Sequence, residues 1–473
     1  FLTSPFPGFR LAKSTKLFDT PSALPFLYVG LLIAISSCHP ATSYLSVDDL
    51  ALTYADSAGI EIYSLSHSPN QISEGFGLPE VVAPRFVVGG ADSDILSIED
   101  IAALGGGRIA IADGLANRIV LVGPDGGVDG FLGREGDGPG EFRSPYVVEA
   151  SPSELLVVDA TGRVSTFSRP DLSFISRTIQ PVPGDWAFLG LRRPFSRWDR
   201  QKRQVTIEDI TRRYQGYYKG GFLFQVQDDE RHVPPGFPFS EPPVSLIKTD
   251  RSFTSFDTLS VLVGPPSMRL DQSSLERYPG FTQQTFASRP SWTTGTGWTA
   301  VGHGNQNEIQ IWCGETTKPC ALIRWSPHRR PLRQDEKEAH VEWLFRYEMA
   351  IAEGDHLGRL RNLSNREKES LVRRQIEIME FADSVPHVTD MRGVGNCLFL
   401  TGFNPEDTYR GVSATWVAIH LSERRIAAVF RVPGIGRRVR EIGDGFLYAT
   451  HHDEWMAEVM EGLKMPDLSC EFN

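Results

Sequence analysis

The sequence lacks any long hydrophobic run. Its longest apolar stretch, from Ala23 to Ile35, has about 13 residues and is interrupted by Pro25 and Gly30. A helix that crosses a membrane needs about 20 predominantly apolar residues. No later segment approaches this length, so the sequence predicts that nothing after residue 37 spans a membrane.

Basic charge is also scarce. The chain has 48 Lys and Arg against 59 Asp and Glu among 473 residues, a formal net charge of −11. A general nucleic-acid binder presents a basic surface, so we expect no nucleic-acid partner. An apolar content of 40% without a strict short period excludes the disordered, collagen-like and coiled-coil classes.

Established catalytic patterns are missing as well. The sequence has no GxSxG, no HExxH and no EF-hand loop. It has five cysteines without a CxxC pair, and no Cys/His spacing that is typical of zinc. Whether the chain is an enzyme is therefore left open, with a non-enzymatic role favoured.

Residues 1–37 have the features of an export leader. Three basic residues between positions 10 and 16 precede the apolar stretch, and Ser36-Ser37 comes directly before Cys38. These residues resemble the lipobox of bacterial lipoproteins, which implies cleavage of the leader and a lipid on Cys38. The alternatives are an ordinary signal peptide or a short anchor with an incidental cysteine. Residues 38–80, rich in Ser, Pro, Gly and Asp, are predicted to be a tether.

The rest of the chain is dominated by short strands. Arg108–Asp113 and Asn117–Val122 predict a hairpin, and a matching pair, Glu154–Asp159 and Thr161–Phe167, follows about 46 residues later. Short strands with a period of 40–50 residues are typical of propeller blades. Two amphipathic helices are predicted within 330–385, where Ser364 and Glu367 form a capping-box pattern.

Four cysteines remain after Cys38. Cys313 and Cys320 flank a turn-like segment, Gly-Glu-Thr-Thr-Lys-Pro, which is compatible with a disulfide or with two separate thiols. Four cysteines allow three pairings, and the sequence does not choose among them.

The segment Gly133–Phe142 (GREGDGPGEF) is the most specific motif. It resembles a signature between blades of bacterial six-bladed β-propeller proteins, relatives of the NHL-repeat and TolB-like propellers, and the resemblance extends over residues 83–455. It implies an all-β, six-bladed β-propeller with a small two-helix insertion, over residues 81–460, followed by a tail at 461–473. It also implies a lipoprotein. We expect Glu141 and Phe142 to hold the crossing between blades.

Several predicted strands end in polar groups at corresponding positions, namely Asp113, Asp159, His303 and His451. If the strands run alike in their blades, these residues surround one mouth of a central channel and bind a polar ligand or a divalent metal. The alternative is that each aspartate caps its own turn. No cofactor is predicted beyond this open question of a metal.

Taken as a whole, the sequence favours a lipid-anchored module in the bacterial cell envelope that binds a protein, peptide or glycan. Residue 39 is His rather than Asp, which favours the outer membrane or periplasm. The alternative function is a metal-dependent hydrolase or lyase centred on the channel. The ligand and the oligomeric state are not predicted.

Overall fold

A computed structural model of the protein describes part of the chain. The described residues are 50–75, 84–90, 93–179, 213–218, 221–227, 243–251, 255–263, 267–269, 281–314, 316, 318–354, 363–377, 379–403, 414–432, 438–452, 458–465, 468 and 470. All belong to one unit, Tyr44–Asn473. The predicted leader and Cys38 lie outside the described residues.

The described residues are mostly β-strand, with three helices. The first half contains β1 (Leu52–Ser57), β2 (Ile60–Leu65), α1 (Pro69–Gly75), β3 (Phe86–Gly89), β4 (Asp100–Gly105), β5 (Arg108–Asp113), β6 (Arg118–Val122), β7 (Val128–Leu132), β8 (Pro145–Ala150), β9 (Glu154–Asp159), β10 (Arg163–Ser168), β11 (Phe174–Ile179), β12 (Arg213–Tyr218), β13 (Gly221–Gln227), β14 (Pro243–Asp250) and β15 (Phe256–Val263). The second half contains β16 (Ser267–Arg269), β17 (Phe281–Gln283), β18 (Pro290–Gly295), β19 (Trp298–His303), β20 (Glu308–Cys313), β21 (Ala321–Arg324), α2 (Gln334–Gly354), α3 (Asn365–Glu377), β22 (Asp390–Val394), β23 (Cys397–Thr401), β24 (Ala414–His420), β25 (Arg425–Val432), β26 (Arg438–Gly443), β27 (Phe446–His452) and β28 (Glu458–Lys464).

Most strands form antiparallel sheets of four. In chain order the sheets are β4–β7, β8–β11, β12–β15, β18–β21, β22–β25 and β26–β28, the last of which takes β3 as its fourth strand. Met460 of β28 lies opposite Val88 of β3, so the strand that precedes the first sheet completes the sheet of the last described strands. The predicted hairpin pair is present as β5–β6 and β9–β10.

The first strands of these sheets contact one another in order. β4 contacts β8, β8 contacts β12, β12 contacts β18, β18 contacts β22, β22 contacts β26, and β26 contacts β4. Hydrogen bonds hold some of these neighbours together. The Val148 amide donates to Asp100 (3.0 Å) between β8 and β4, and the Arg392 guanidinium donates to the Val439 carbonyl (3.1 Å) between β22 and β26.

The hydrophobic core lies between successive sheets. One cluster joins β4–β6 to β8–β10, and another joins β19–β21 to β22–β24. The second strand of a sheet is therefore covered on both faces, which explains its continuous apolar sequence. In β5, for example, every residue after Arg108 is buried.

The N-terminal segment departs from the prediction of a tether over 38–80. Residues 52–65 form a hairpin whose second strand pairs in parallel with β21, and α1 follows it. The turn at Ala58-Gly59 has φ angles of +54° and +79°, which a two-residue hairpin requires. The Ser, Gly and Asp content that indicated a tether belongs in part to this turn.

The C-terminal boundary is corrected too. Residues 461–464 belong to β28, and Met465, Leu468 and Cys470 are buried in the cluster between β22–β25 and β26–β27. Because these side chains fill a core, the described residues between 461 and 470 belong to the folded structure, whereas the sequence predicted a tail.

The two predicted helices lie between β21 and β22. The capping box at the start of α3 is confirmed: the Ser364 amide donates to Glu367 (2.7 Å), and the Glu367 amide donates to the Ser364 hydroxyl (3.4 Å). At the start of α2, buried Glu336 accepts hydrogen bonds from the Arg333 amide and the Arg330 guanidinium. No helix among the described residues is long and apolar enough to cross a membrane.

Candidate functional site

Corresponding strand ends carry the predicted site residues. Asp113 ends β5, Asp159 ends β9, His303 ends β19, and His451 is the penultimate residue of β27. Each of these is the second strand of its sheet. In an antiparallel sheet the second strand ends on the side where the first strand begins and where the fourth strand leaves for the next sheet. We call this the connection side of a sheet.

Asp113 is fully buried and binds the backbone around it. Its carboxylate accepts hydrogen bonds from the amides of Leu96 (3.2 Å), Ser97 (3.1 Å) and Ala116 (3.2 Å). Arg118 Nε lies 3.6 Å from Oδ2. The carboxylate therefore joins the segment that enters β4 to the turn between β5 and β6, and both of its oxygens are engaged.

Asp159 likewise binds the backbone around it in the next sheet, β8–β11. It accepts hydrogen bonds from the amides of Arg143 (3.1 Å), Thr161 (3.0 Å) and Arg163 (3.2 Å), and from Arg163 Nε (2.7 Å). Arg163 in turn binds Asp137 at 3.0 Å. The Arg143 hydrogen bonds, together with the charges of Arg143 and Arg163, hold the pKa of Asp137 below its usual value.

The Gly133–Phe142 motif forms the segment between these two sheets, and its contacts are structural. Glu141 Oε2 accepts the Gly138 amide at 2.7 Å, and the buried Phe142 ring packs 6.0 Å from the Phe167 ring. A Cβ on Gly133 would lie 2.2 Å from the Phe142 ring, and the φ of Gly133 is +78°. Glu141 and Phe142 thus have the expected roles of hydrogen bonding and packing.

His303 lies in a different environment. Its Nδ1 accepts the Asn305 amide at 3.2 Å, and the Asn305 side-chain oxygen accepts from the Ser288 hydroxyl and from Arg329. Burial, opposed by a hydrogen bond to the Val263 backbone and reinforced by the Arg329 charge, lowers the pKa of His303 to about 4. The imidazole is therefore neutral at pH 7.

A second buried histidine stands beside His303. The His387 amide donates to the Gly304 carbonyl at 2.8 Å, and the His387 ring lies 5.8 Å from the Trp325 ring. Burial lowers the pKa of His387 to about 4 as well, with Arg329 contributing. His387 has no signal in the sequence, because it lies in an irregular segment after α3 with no motif around it.

His451 is half-buried in β27, opposite Val459 of β28. The structure does not group it with Asp113, Asp159 and His303 as metal ligands: within the described ranges, no three His, Cys, Asp or Glu side chains are placed to hold a metal ion. The four residues share a position in their sheets but have separate local partners.

Charged side chains on the first strands form a cluster that the sequence analysis missed. Burial raises the pKa of Asp100 to about 6, against the charges of Arg440 and Arg392. Burial also raises the pKa of Glu441 to about 8, reinforced by the charges of Asp100 and Glu149. The residues come from β4, β8, β22 and β26, so their proximity follows from the order of the sheets. The available signal was the presence of charged residues in otherwise apolar first strands, such as Glu149 in β8, Arg392 in β22 and Glu441 in β26.

Two disulfides are present. Cys313 pairs with Cys320 across the turn between β20 and β21, which is one of the two arrangements that the turn composition allowed. Cys397 of β23 pairs with Cys470 at a sequence separation of 73. This second bridge fastens the C-terminal segment to β22–β25.

No protein-family model and no curated protein matches the chain. Similar solved structures include a protein of Bacteroides fragilis NCTC 9343 described as exported (11% identity, 82% of this chain and 99% of that one, TM-score 0.34). They also include a DUF4221 family member of Bacteroides vulgatus ATCC 8482 (8% identity, 81% and 97%, TM-score 0.41) and the WD40 repeats of RRP9 (8% identity, 81% and 100%, TM-score 0.33). At such identities and TM-scores, the likeness does not indicate what this chain binds or does.

Proposed function

We propose that the chain is an exported six-bladed β-propeller that serves as a binding module for a protein, peptide or glycan in the bacterial cell envelope. The observation that carries the proposal is the order of contacts among the first strands, which starts at β4, passes through six sheets and returns to β4. The sharing of one sheet by β3 and β28 supports this arrangement, because it pairs the strand just before the first sheet with the last described strand.

The role in binding follows from how the connection side is built. Asp113 and Asp159 use their oxygens to hold loops in place, which leaves fixed turns facing outward. Rigid loops on a stable scaffold favour recognition because little conformational entropy is lost on binding.

The proposed binding is tested by photo-cross-linking in cells. A cross-linking amino acid is placed at Ala160 or Gln306, exposed residues in turns on the connection side, and at Asp125 or Lys318, exposed residues in turns at the opposite ends of the strands. We expect discrete adducts from the first pair. Adducts from neither pair would contradict a binding module, and adducts from the second pair alone would place the ligand on the opposite side.

The proposal includes a lipid on Cys38, because Ser36-Ser37 directly precedes this cysteine in a sequence that resembles a lipobox. Labelling of cells with an alkyne-modified palmitate is expected to mark the full chain and to leave Cys38→Ser unlabelled. Equal labelling of both would contradict the lipid anchor, while the binding proposal would stand.

A metal-dependent hydrolase or lyase with Asp113, Asp159, His303 and His451 as ligands is the second function to test. The contacts of the two aspartates give it no specific support, because the carboxylate oxygens of both accept hydrogen bonds from backbone amides. Elemental analysis of the purified chain and of Asp113→Ala would reveal a stoichiometric metal that depends on Asp113, which is the result this function requires.

A further inference from the structure

Two leucines stand out on the connection side of the first sheet, β4–β7. Leu96 precedes β4 and is 61% exposed, and Leu115 lies in the turn between β5 and β6 and is 68% exposed. The Leu115 amide donates to the hydroxyl of Ser97, the neighbour of Leu96, at 3.1 Å. The two leucines therefore project from adjoining segments of backbone.

The backbone that carries them is held firmly. The Asp113 carboxylate binds the amides of Leu96 and Ala116, and the Arg118 guanidinium donates to the Asp94 carbonyl at 2.7 Å. Arg118 itself lies over the Phe131 ring, 4.0 Å from its centroid. Both leucines are thus displayed on loops whose conformation is set before any partner arrives.

The turn itself does not require a leucine. In the second sheet Asp159 caps the corresponding turn, where the exposed residues are Ala160 and Thr161. In the sheet β18–β21 the corresponding turn exposes Asn305 and Gln306. Since the same turn forms with small or polar residues at its tip, its geometry does not explain the large apolar side chain of Leu115.

The charges around the leucines are acidic. Asp94 and Glu99 are exposed, and neither carboxylate has an ion pair among the described residues. The nearby cations are already engaged, Arg118 with Asp113 and Arg440 with Glu458 (3.1 Å). The chain as a whole is also acidic, with a formal net charge of −11. A partner that covers the leucines must face these carboxylates.

We propose that Leu96 and Leu115, flanked by Asp94 and Glu99, form a docking surface for a peptide segment that alternates apolar and basic side chains. This surface rests on the proposed role as a binding module and specifies its partner. The leucines supply the apolar anchor, which typically provides most of the affinity. The two carboxylates supply charge complementarity, which governs selectivity and association rate.

The test uses the purified full chain and three fluorescent 15-residue peptides. One alternates Leu and Lys, one alternates Leu and Glu, and one alternates Ser and Lys. Fluorescence anisotropy is expected to show that the Leu/Lys peptide binds tightest. The Leu96→Ser/Leu115→Ser variant should weaken its binding by about 10-fold or more, and Asp94→Asn/Glu99→Gln should weaken it less and reduce its salt dependence.

The matched control is Val261→Ser, which removes another apolar side chain that is 60% exposed, on β15. It should leave the binding unchanged, and thermal melts of all variants verify folding. If the Leu96→Ser/Leu115→Ser variant binds the Leu/Lys peptide as tightly as Val261→Ser does, the proposed surface is wrong. The chain would still bind a peptide in that case, so the binding-module proposal would stand. Equal binding of the Leu/Glu peptide, or no binding of the Leu/Lys peptide by the unaltered chain, would also overturn the proposed surface.

Discussion

At the scale of single residues, buried carboxylates hold loops in place. Asp113 satisfies three backbone amides that would otherwise be unpaired beside the core. A buried donor without an acceptor costs about 1–3 kcal/mol of stability. Removal of the Asp113 carboxylate would leave several amides without an acceptor, so these costs partly add. The carboxylate thus stabilises both segments that it joins.

We expect Asp113→Ala to lower the free energy of unfolding by about 2–4 kcal/mol. Asp113→Asn keeps one acceptor oxygen and should have an intermediate effect. The measurement is the denaturant midpoint at constant m-value. Asp94→Asn, at an exposed position nearby, is the control and should change stability by less than about 0.5 kcal/mol. A loss below that value for Asp113→Ala would contradict the role of the carboxylate.

At the scale of elements, the β1–β2 hairpin joins two sheets. It extends β18–β21 through β2, and the buried Tyr63 hydroxyl contacts the Leu421 carbonyl at 2.9 Å, in the turn between β24 and β25. In that turn Arg424 pairs with Glu61 at 2.5 Å and lies over the Tyr54 ring. Residues that the sequence assigned to a tether thus contribute to the core.

Tyr63 offers a graded test of the hairpin. Tyr63→Phe should cost about 1 kcal/mol for the lost hydroxyl contact, and Tyr63→Ala about 3–5 kcal/mol because a fully buried ring is removed. Tyr54→Phe is the control, since Tyr54 is 38% exposed. Urea unfolding measures all three. Similar, small effects for Tyr63→Ala and Tyr54→Phe would show that the hairpin adds little stability.

The two disulfides should differ in their effects because they close loops of different length. In the chain-entropy treatment, a bridge across 73 residues stabilises by about 4 kcal/mol and one across 7 residues by about 2 kcal/mol. We therefore expect Cys397→Ser/Cys470→Ser to unfold at a clearly lower denaturant concentration than Cys313→Ser/Cys320→Ser. The reverse order would contradict the role of the longer bridge in fastening the C-terminal segment.

At the scale of the whole molecule, the sequence predicted what depends on local pattern. The β5–β6 and β9–β10 hairpins and the capping box at Ser364 follow from spacing and turn chemistry, and they are present. What depends on the order of the sheets was not predictable. Cys470 was one of several partners for Cys397, and Asp100 meets Glu441 because β26 contacts β4.

Titratable groups buried by this order of sheets make the free energy of unfolding depend on pH, with a loss of stability towards both high and low pH. Glu441 has a pKa of about 8 in the fold, above the ordinary value of 4.5. The folded state therefore holds a proton that the unfolded state releases, and stability falls as the pH rises between these values. His303, His340 and His387 have pKa values of about 4, below the ordinary 6.5, and together they outweigh Asp100, whose pKa of about 6 lies above its ordinary 3.8. The unfolded state binds more protons here, so stability falls as the pH drops from 6.5 towards 4.

We accordingly expect the melting temperature to be highest near pH 6.5 and to decline on both sides. The Glu441→Gln side chain has no titrating proton, so the melting temperature of this variant should fall distinctly less between pH 6.5 and 8.5. Its melting temperature should still fall below pH 6, because the histidines are unchanged. Glu99→Gln, at an exposed position, should follow the unaltered chain throughout. Thermal melts across pH 4.5–8.5 measure the melting temperature of the unaltered chain and of both variants. Parallel curves for Glu441→Gln and the unaltered chain above pH 6.5 would mean that Glu441 is already ionised in the folded state, and that the contacts among the first strands do not hold its proton.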